Sequence, residues 1–165
     1  KQVDWRPEWN VLDIGCGGGA NVKRLLKLCP QGKVYGMDLS EESVAFARRH
    51  NAGELDRRCF IQQGDVCSLP YGDGAFDAVT AFETVYFWSS VSKALAEVFR
   101  VIRKGGCFLI SLEASDPELG KAWTERIKGM TVYGAEELKQ LLSQAGFSDI
   151  RVIQKKEELH IVAHK

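Results

Sequence analysis

Short apolar runs alternate with amphipathic stretches along most of the chain. The runs at 10–14, 33–37 and 58–62 are bounded by turn-forming residues, and such runs are typical of buried strands. Between them, "ANVKRLLKL" and residues 40–50 carry apolar side chains at helical spacing. Ser40 is placed to cap the second of these helices, with Glu41 and Glu42 in its first turn. This first part of the chain therefore predicts three strands joined by helices.

The same alternation continues into the second half of the chain. Residues 76–82 read as a fourth strand, followed by the helix "SKALAEVFRVI", which we expect to end at Gly105–Gly106. "CFLISLE" is a fifth strand, and residues 134–144 have the pattern of a further helix. The long stretch 114–133 lies between them, and its "GKAWTERIK" could form a short helix. Its place after a strand favours a lid or substrate loop.

The end of the chain breaks this rhythm. "FSDIRVIQ" and "LHIVAHK" are two strands separated only by "KKEE". That link is too short for a helical crossover, so the two strands must pair antiparallel. The pattern predicts an α/β fold with five parallel strands, helices on both faces of the sheet and a C-terminal β-hairpin that adds one antiparallel strand. We expect residues 1–165 to form one domain.

Composition narrows the possible functions. Of 165 residues, 45% are hydrophobic and 27% charged, and 22 basic residues balance 22 acidic ones. A neutral chain gives no strong indication of a nucleic-acid partner. No apolar run approaches the length of a membrane span, and no signal peptide precedes the first strand. The cysteine usage described below favours a cytoplasmic protein. Oligomeric state is not indicated.

Five cysteines occur without a CxxC motif. Most of them fall in strand-like or helix-like runs, which favours reduced, buried thiols over a disulfide framework. His160 and His164 share one face of a strand, but four residues span about 13 Å there, too far to bind one ion. No metal site is predicted.

The stretch "VLDIGCGGGA" places four glycines within five positions directly after the first strand. Gly15 and Gly17 allow backbone angles that other residues resist and permit a ligand to approach the chain closely. A merely tight turn would need fewer glycines. "GCGGGA" also satisfies the dinucleotide pattern GxGxxG/A, with Asp38 in the position of a ribose-binding acid. The preceding Asp13 extends the pattern to Asp-x-Gly-x-Gly-x-Gly.

At this point the chain resembles the class I S-adenosylmethionine-dependent methyltransferases, in particular the methyltransferase type 11-like group. The matching stretches are, in order, "VLDIGCGGG", "VYGMDLS", "QGDVCSLPY", "FDAVTAFETVYFW", "EVFRVIRKGG" and "YGAEELKQLLSQAGF". Lys104 stands where the family usually has proline. The resemblance covers almost the whole chain and implies a Rossmann-like doubly wound sheet with strand order 3-2-1-4-5-7-6. It also implies S-adenosylmethionine as cofactor and S-adenosylhomocysteine as product.

The resemblance implies a role for particular residues. The glycine loop would lie along the amino-acid part of the cofactor, and Asp38 would accept hydrogen bonds from both ribose hydroxyls. Asp65 would accept one from the adenine amino group, with Leu39 and Val66 beside the adenine. The expected cofactor-binding residues are Asp13, Gly15, Cys16, Gly17, Asp38, Leu39, Asp65, Val66 and Phe82. Relatives usually carry a helix or more before the first strand, so we expect the N-terminal cover to be short or missing.

These residues also have structural interpretations. Asp13 is as well suited to bracing the glycine loop as to contacting a ligand, and Cys16 reads as a small filler. Asp38 could cap a helix, although Ser40 is better placed for that. Asp65 could be an ordinary turn residue. Carboxylates are pure acceptors, which matches the donors of ribose and adenine.

Methyl transfer is an in-line displacement in which the cofactor supplies the reactive carbon, so no nucleophilic side chain is needed. Glu83, Tyr86 and Trp88 are the candidates for orienting the acceptor, and Glu83 could act as a general base. Tyr86, Phe87 or Trp88 could face the sulfonium, or the cluster could simply pack under the next helix. A small-molecule acceptor is expected. The alternatives are a non-catalytic binding domain and an NAD-dependent oxidoreductase, for which no Tyr-x-x-x-Lys is found.

Overall fold

A seven-stranded sheet organises the molecule, which we describe from a computed structural model covering residues 3–118, 120–156 and 158–165. The order across the sheet is β3-β2-β1-β4-β5-β7-β6. Neighbouring strands from β3 to β5 run parallel, and β7 is antiparallel to both β5 and β6. The predicted fold and strand order are therefore confirmed. The strands are β1 (Val11–Ile14), β2 (Val34–Asp38), β3 (Cys59–Gln63), β4 (Phe76–Phe82), β5 (Ile102–Leu112), β6 (Ser148–Lys155) and β7 (Glu158–His164).

Helices lie between most of these strands, close to the positions that the sequence predicts. They are α1 (Ala20–Leu28), α2 (Glu41–His50), α3 (Val91–Val101), α4 (Lys121–Arg126) and α5 (Ala135–Gln144), with a 3-10 turn at Val85–Phe87. The Ser40 hydroxyl accepts the Ser43 N–H at 3.2 Å, so the predicted cap of α2 is confirmed. Ser90 caps α3 in the same way, through the Lys93 N–H. The short α4 lies within the stretch "GKAWTERIK", as the sequence suggested.

Two hydrophobic clusters cover the opposite faces of the sheet. One contains Leu12 and the buried side of α3 and α5, and the other contains Val11 and the buried side of α1 and α2. Adjacent residues of β1 thus enter different clusters, as the alternation of side chains along a strand requires. Trp9 joins the second cluster, so it packs on this face of the sheet. All five cysteines are free and buried, which confirms that prediction.

The boundary between α3 and β5 differs from the prediction. The helix ends at Val101 rather than at Gly105–Gly106, and β5 begins at Ile102 instead of at the predicted Cys107. Ile102 is already extended and pairs with Phe76, after which the register shifts. Gly105 then adopts a φ of 74°. Gly105 and Gly106 therefore lie in an irregular stretch of β5 where it pairs with β4, and they do not end a helix.

No helix of the described segments is long and apolar enough to cross a membrane. The segment between β5 and α5 contacts the 3-10 turn, because the Thr131 N–H donates to the Tyr86 carbonyl at 2.8 Å. This contact places the segment before α5 beside the loop that follows β4.

Candidate cofactor and acceptor site

A cavity of about 690 Å³ lies at the carboxyl ends of β1, β2, β3 and β4. Parallel strands that are adjacent in the sheet bring the loops that follow them to one edge, which is where open α/β sheets bind ligands. The cavity is lined by Ile14, Gly15, Gly17, Met37, Asp38, Leu39, Ser40, Gly64, Asp65, Val66, Glu83, Thr84, Phe87, Trp88 and Ser89. Six of the nine expected cofactor-binding residues are in this lining.

The glycine loop forms the floor beside β1. Gly15 has a φ of 66° and Gly17 a φ of 50°, in the left-handed region that other residues rarely adopt. A Cβ at Gly15 would overlap the Thr84 side chain, lying 2.5 Å from its Cβ atom. The Gly15 N–H donates to the Met37 carbonyl at 2.7 Å, which ties the loop to the end of β2. Glycine is therefore required at position 15 by both backbone angle and space.

Asp38 holds this loop from the tip of β2. Its Oδ2 accepts the Gly17 N–H at 2.8 Å, and its Oδ1 accepts the Ser40 N–H at 2.9 Å. Ser40 caps α2 with its own side chain, so Asp38 is not the cap of that helix. Each carboxylate oxygen has a further lone pair beyond these bonds. Asp38 can therefore brace the loop and still accept hydrogen bonds from a ligand.

Asp65 occupies the corresponding place after β3. It is exposed, and its Oδ1 accepts the Cys67 N–H at 2.8 Å within its own turn. The turn interpretation and the binding interpretation are thus compatible for this residue. Val66 beside it is buried, whereas Leu39 across the cavity is 69% exposed. Both side chains line the cavity, so each aspartate has an apolar neighbour in the lining.

Three expected cofactor-binding residues lie outside the lining. Asp13 is buried beneath the loop, where its Oδ1 accepts the Thr80 hydroxyl at 2.7 Å and its Oδ2 has no hydrogen-bond partner among the described residues. Burial raises the pKa of Asp13 to about 7, against the Thr80 hydrogen bond and with a smaller contribution from the charge of Asp38. This position favours bracing over ligand contact.

Cys16 and Phe82 are the other two residues outside the lining. Burial raises the pKa of the Cys16 thiol, with the neighbouring carboxylates of Asp13 and Asp38 adding to the effect. Its thiol is therefore protonated and unreactive, in keeping with a filler role. Phe82 packs against the cluster on the α1 and α2 face, whereas Ala81 joins the opposite cluster. The alternation along β4 turns Phe82 away from the cavity.

Glu83 stands at the cavity end of β4. Its φ is 54°, an uncommon conformation for a non-glycine residue that often marks a functional position. Its Oε2 accepts the Tyr86 hydroxyl at 3.0 Å, and that hydroxyl accepts the Ala114 N–H at 2.9 Å. Partial loss of hydration raises the pKa of Glu83, although hydrogen bonds from the Glu113 backbone and from Tyr86 oppose the shift.

The three acceptor-side candidates occupy different places. Glu83 and Trp88 line the cavity, whereas Tyr86 is buried, lies outside the lining and donates a hydrogen bond to Glu83. Trp88 stacks on Phe108 with ring centroids 6.5 Å apart, so it is both a core residue and a cavity wall. Phe87 is 51% exposed and also lines the cavity.

Sequence reasoning missed several lining residues. Thr84 is the clearest, because its contact with Gly15 joins two segments that are far apart in the chain. Met37 is another: it ends a predicted strand, and a Cβ at Gly64 would lie 2.6 Å from its sulfur. Gly64 was the one indication in the sequence that the end of β2 and the segment after β3 approach each other closely.

A doubly wound sheet of this order, with a glycine loop and carboxylates at successive strand tips around one cavity, defines a Rossmann-like domain of the class I methyltransferase type. A family model described as a methyltransferase domain matches residues 12–110. The chain belongs to this family of S-adenosylmethionine-dependent methyltransferases.

Individual relatives support this assignment. Demethylmenaquinone methyltransferase of Symbiobacterium thermophilum is 36% identical over 118 residues, which cover 70% of this chain and 47% of that protein. The O-methyltransferase cnsE of Penicillium expansum is 30% identical over 157 residues, covering 91% and 56%. The crystal structure of the YcgJ protein from Bacillus subtilis superposes with a TM-score of 0.79 at 28% identity, covering 92% and 66%. The chain spans about half the length of these curated relatives.

Proposed function

We propose that this chain binds S-adenosylmethionine in the cavity and transfers its methyl group to a small-molecule acceptor. One observation carries the proposal. Gly15, Gly17, Asp38 and Asp65, which come from three strand tips, all line the same cavity. Its volume of about 690 Å³ lies within the usual range of small-molecule sites.

The donor set fits an adenosine. Ribose hydroxyls and an adenine amino group are hydrogen-bond donors, and Asp38 and Asp65 offer carboxylate acceptors at the ends of the paired strands β2 and β3. Leu39 and Val66, each next in sequence to one of these carboxylates, add apolar lining. The glycine loop leaves room for the backbone to approach the amino-acid end of the cofactor. An NAD-dependent oxidoreductase has no comparable use for Asp65.

When bound, the cofactor supplies an electrophilic methyl group, and the chain's own residues need only hold the acceptor in line with it. Phe87 and Trp88 line the cavity and would exclude water from the reacting groups. Glu83 is within the same lining and can take a proton from the acceptor. No side chain has to form a covalent bond.

A small-molecule acceptor is supported by the balanced charge of the chain and by the names of its relatives. Demethylmenaquinone methyltransferase and an O-methyltransferase are among them. Because these relatives differ in acceptor, the family alone does not give its identity. A non-catalytic domain that binds the cofactor is the second candidate function.

Calorimetry with S-adenosylmethionine, S-adenosylhomocysteine and NAD tests the cofactor. We expect both sulfur compounds to bind and NAD not to bind. Acceptor mixtures are then screened for release of S-adenosylhomocysteine. Binding of NAD in preference to S-adenosylhomocysteine would contradict the proposal, and binding without release from any acceptor would support the non-catalytic alternative.

A further inference from the structure

The cavity is acidic. Its lining contains three carboxylates, those of Asp38, Asp65 and Glu83, and no lysine, arginine or histidine among the residues that the structure describes there. Like charges in a partly closed cavity repel an anionic ligand and favour a cationic one. An acceptor that carries a carboxylate at its reacting end would therefore be opposed by the site.

Glu83 is separated from the other two carboxylates by the order of the sheet. β1 lies between β4 and β2, so the tip of β4 is about two strand spacings, or about 10 Å, from the tip of β2. The tip of β3 is one spacing further away. Asp38 and Asp65 are thus placed for the adenosine end of the cofactor, and Glu83 for groups at the opposite end of the cavity. The cavity-lining residues closest to Glu83 in the sequence are Thr84, Phe87 and Trp88.

We propose that the methyl acceptor is a primary or secondary amine whose ammonium ion binds to the Glu83 carboxylate, with Tyr86 as the positioning residue of that carboxylate. This inference rests on the methyl transfer proposed above and names its substrate class.

Tyr86 fixes Glu83 through a directed chain of hydrogen bonds. The Ala114 N–H donates to the Tyr86 oxygen at 2.9 Å, and the single hydroxyl proton is then free to donate to Glu83 Oε2 at 3.0 Å. The Glu83 N–H donates to the Ser111 carbonyl at 2.9 Å, which holds the backbone in its uncommon conformation. Both the backbone and one carboxylate oxygen of Glu83 are therefore fixed by neighbouring elements.

The surroundings of this carboxylate favour a cation. Partial loss of hydration raises the pKa of Glu83, and repulsion from Glu113 contributes in the same direction, whereas the Tyr86 hydrogen bond and His160 oppose it. An ammonium ion would compensate the lost hydration with a charge-assisted hydrogen bond. Phe87 and Trp88 line the same cavity, and the face of an aromatic ring attracts cations. A neutral alcohol would gain neither charge pairing nor this attraction in full.

The same pair can carry the proton that must leave before methylation. The ammonium transfers one proton to the Glu83 carboxylate and becomes a neutral amine with a free lone pair. That lone pair forms the new bond from nitrogen to the methyl carbon, and the bond from carbon to sulfur breaks with its electrons going to sulfur. The products are a methylated ammonium ion and S-adenosylhomocysteine, and Glu83 returns its proton to solvent.

Three probes that share a 2-phenylethyl group separate the charge states: 2-phenylethylamine, 2-phenylethanol and 3-phenylpropionate. Their affinities are measured by calorimetry on the full chain saturated with S-adenosylhomocysteine, for the wild type and for Glu83→Gln. Glu42→Gln, an exposed glutamate of α2 outside the cavity, is the matched control. We expect the amine to bind at least tenfold more tightly than the alcohol, the carboxylate not to bind, and Glu83→Gln alone to abolish the amine preference.

The outcomes separate this inference from the proposed function. Failure of S-adenosylhomocysteine to bind in the first step would contradict the function itself. If S-adenosylhomocysteine binds, an alcohol or carboxylate that binds as tightly as the amine would overturn the amine assignment. It would equally be overturned by an amine preference that persists in Glu83→Gln, or by no binding of any probe. Tyr86→Phe provides a second variant, in which we expect the amine preference to fall several-fold while S-adenosylhomocysteine affinity is unchanged.

Discussion

Replacing Asp13 by asparagine should remove a pH dependence from the stability of the fold. Asp13 is 1% exposed, and burial raises the pKa of its carboxyl from 3.8 to about 7. Because the pKa is higher in the folded state, the protonated form stabilises the fold. This contribution is fully present below pH 3.8 and is lost as the pH rises through 7.

The size of the effect follows from these two pKa values. Proton linkage between pH 5 and pH 8 gives a loss of about 2–3 kcal/mol in the free energy of unfolding. Asparagine cannot ionise, and its carbonyl oxygen can still accept the Thr80 hydroxyl that Asp13 Oδ1 accepts at 2.7 Å. The variant should therefore lack this loss while keeping the hydrogen bond.

Urea unfolding followed by circular dichroism at several values between pH 5 and pH 8 measures this difference. Asp4→Asn, at an exposed position, is the control and should follow the wild type. Parallel pH profiles for the wild type and Asp13→Asn would refute the reasoning. Because Asp13 does not line the cavity, we also expect the affinity of Asp13→Asn for S-adenosylhomocysteine to stay within a factor of about three. A larger loss of affinity would indicate that Asp13 contacts the ligand directly.

Two further substitutions test the loop and the acceptor side. Gly15→Ala should lose about 2–4 kcal/mol of stability, because the φ of Gly15 is 66° and an added Cβ would overlap Thr84. At Gly72 an added Cβ meets no neighbour within 4 Å. Gly72→Ala should therefore match the wild type in urea unfolding. Equal stability of the two variants would contradict this description of the loop. Tyr86→Phe should lose about 1–3 kcal/mol because the Ala114 N–H loses its acceptor. A wild-type midpoint in the same assay would show that this bond contributes nothing.

Most of the fold could be predicted from the sequence because its determinants are local. Apolar runs, helical spacing, the Ser40 cap and the short link in the C-terminal hairpin each depend on neighbouring residues. The start of β5 could not be predicted in this way. Ile102 is extended because it pairs with Phe76 in another strand, and nothing in "EVFRVIRKGG" itself distinguishes that pairing from a longer helix.

The same distinction between local and long-range determinants applies to the site. The residues that could be found each lie at or shortly after the end of a strand and belong to a motif: Gly15, Gly17, Asp38 and Asp65. Motif membership was not enough for other positions, since a residue in a motif can face away from the cavity. The side-chain alternation of β4 directs Phe82 into the cluster packed against α1 and α2. The contact between Thr84 and Gly15 depends on how two distant loops pack and has no local indication.

The most direct test of the account is a calorimetric titration of S-adenosylhomocysteine into the wild type, Asp38→Ala and Asp4→Ala. Asp38 lines the cavity and holds the Gly17 N–H at 2.8 Å, whereas Asp4 is exposed and outside it. Loss of charge-assisted hydrogen bonds should weaken binding to Asp38→Ala by about 2 kcal/mol, or about 30-fold, with Asp4→Ala unchanged. Wild-type affinity in a folded Asp38→Ala variant, or no binding to the wild type, would contradict the account.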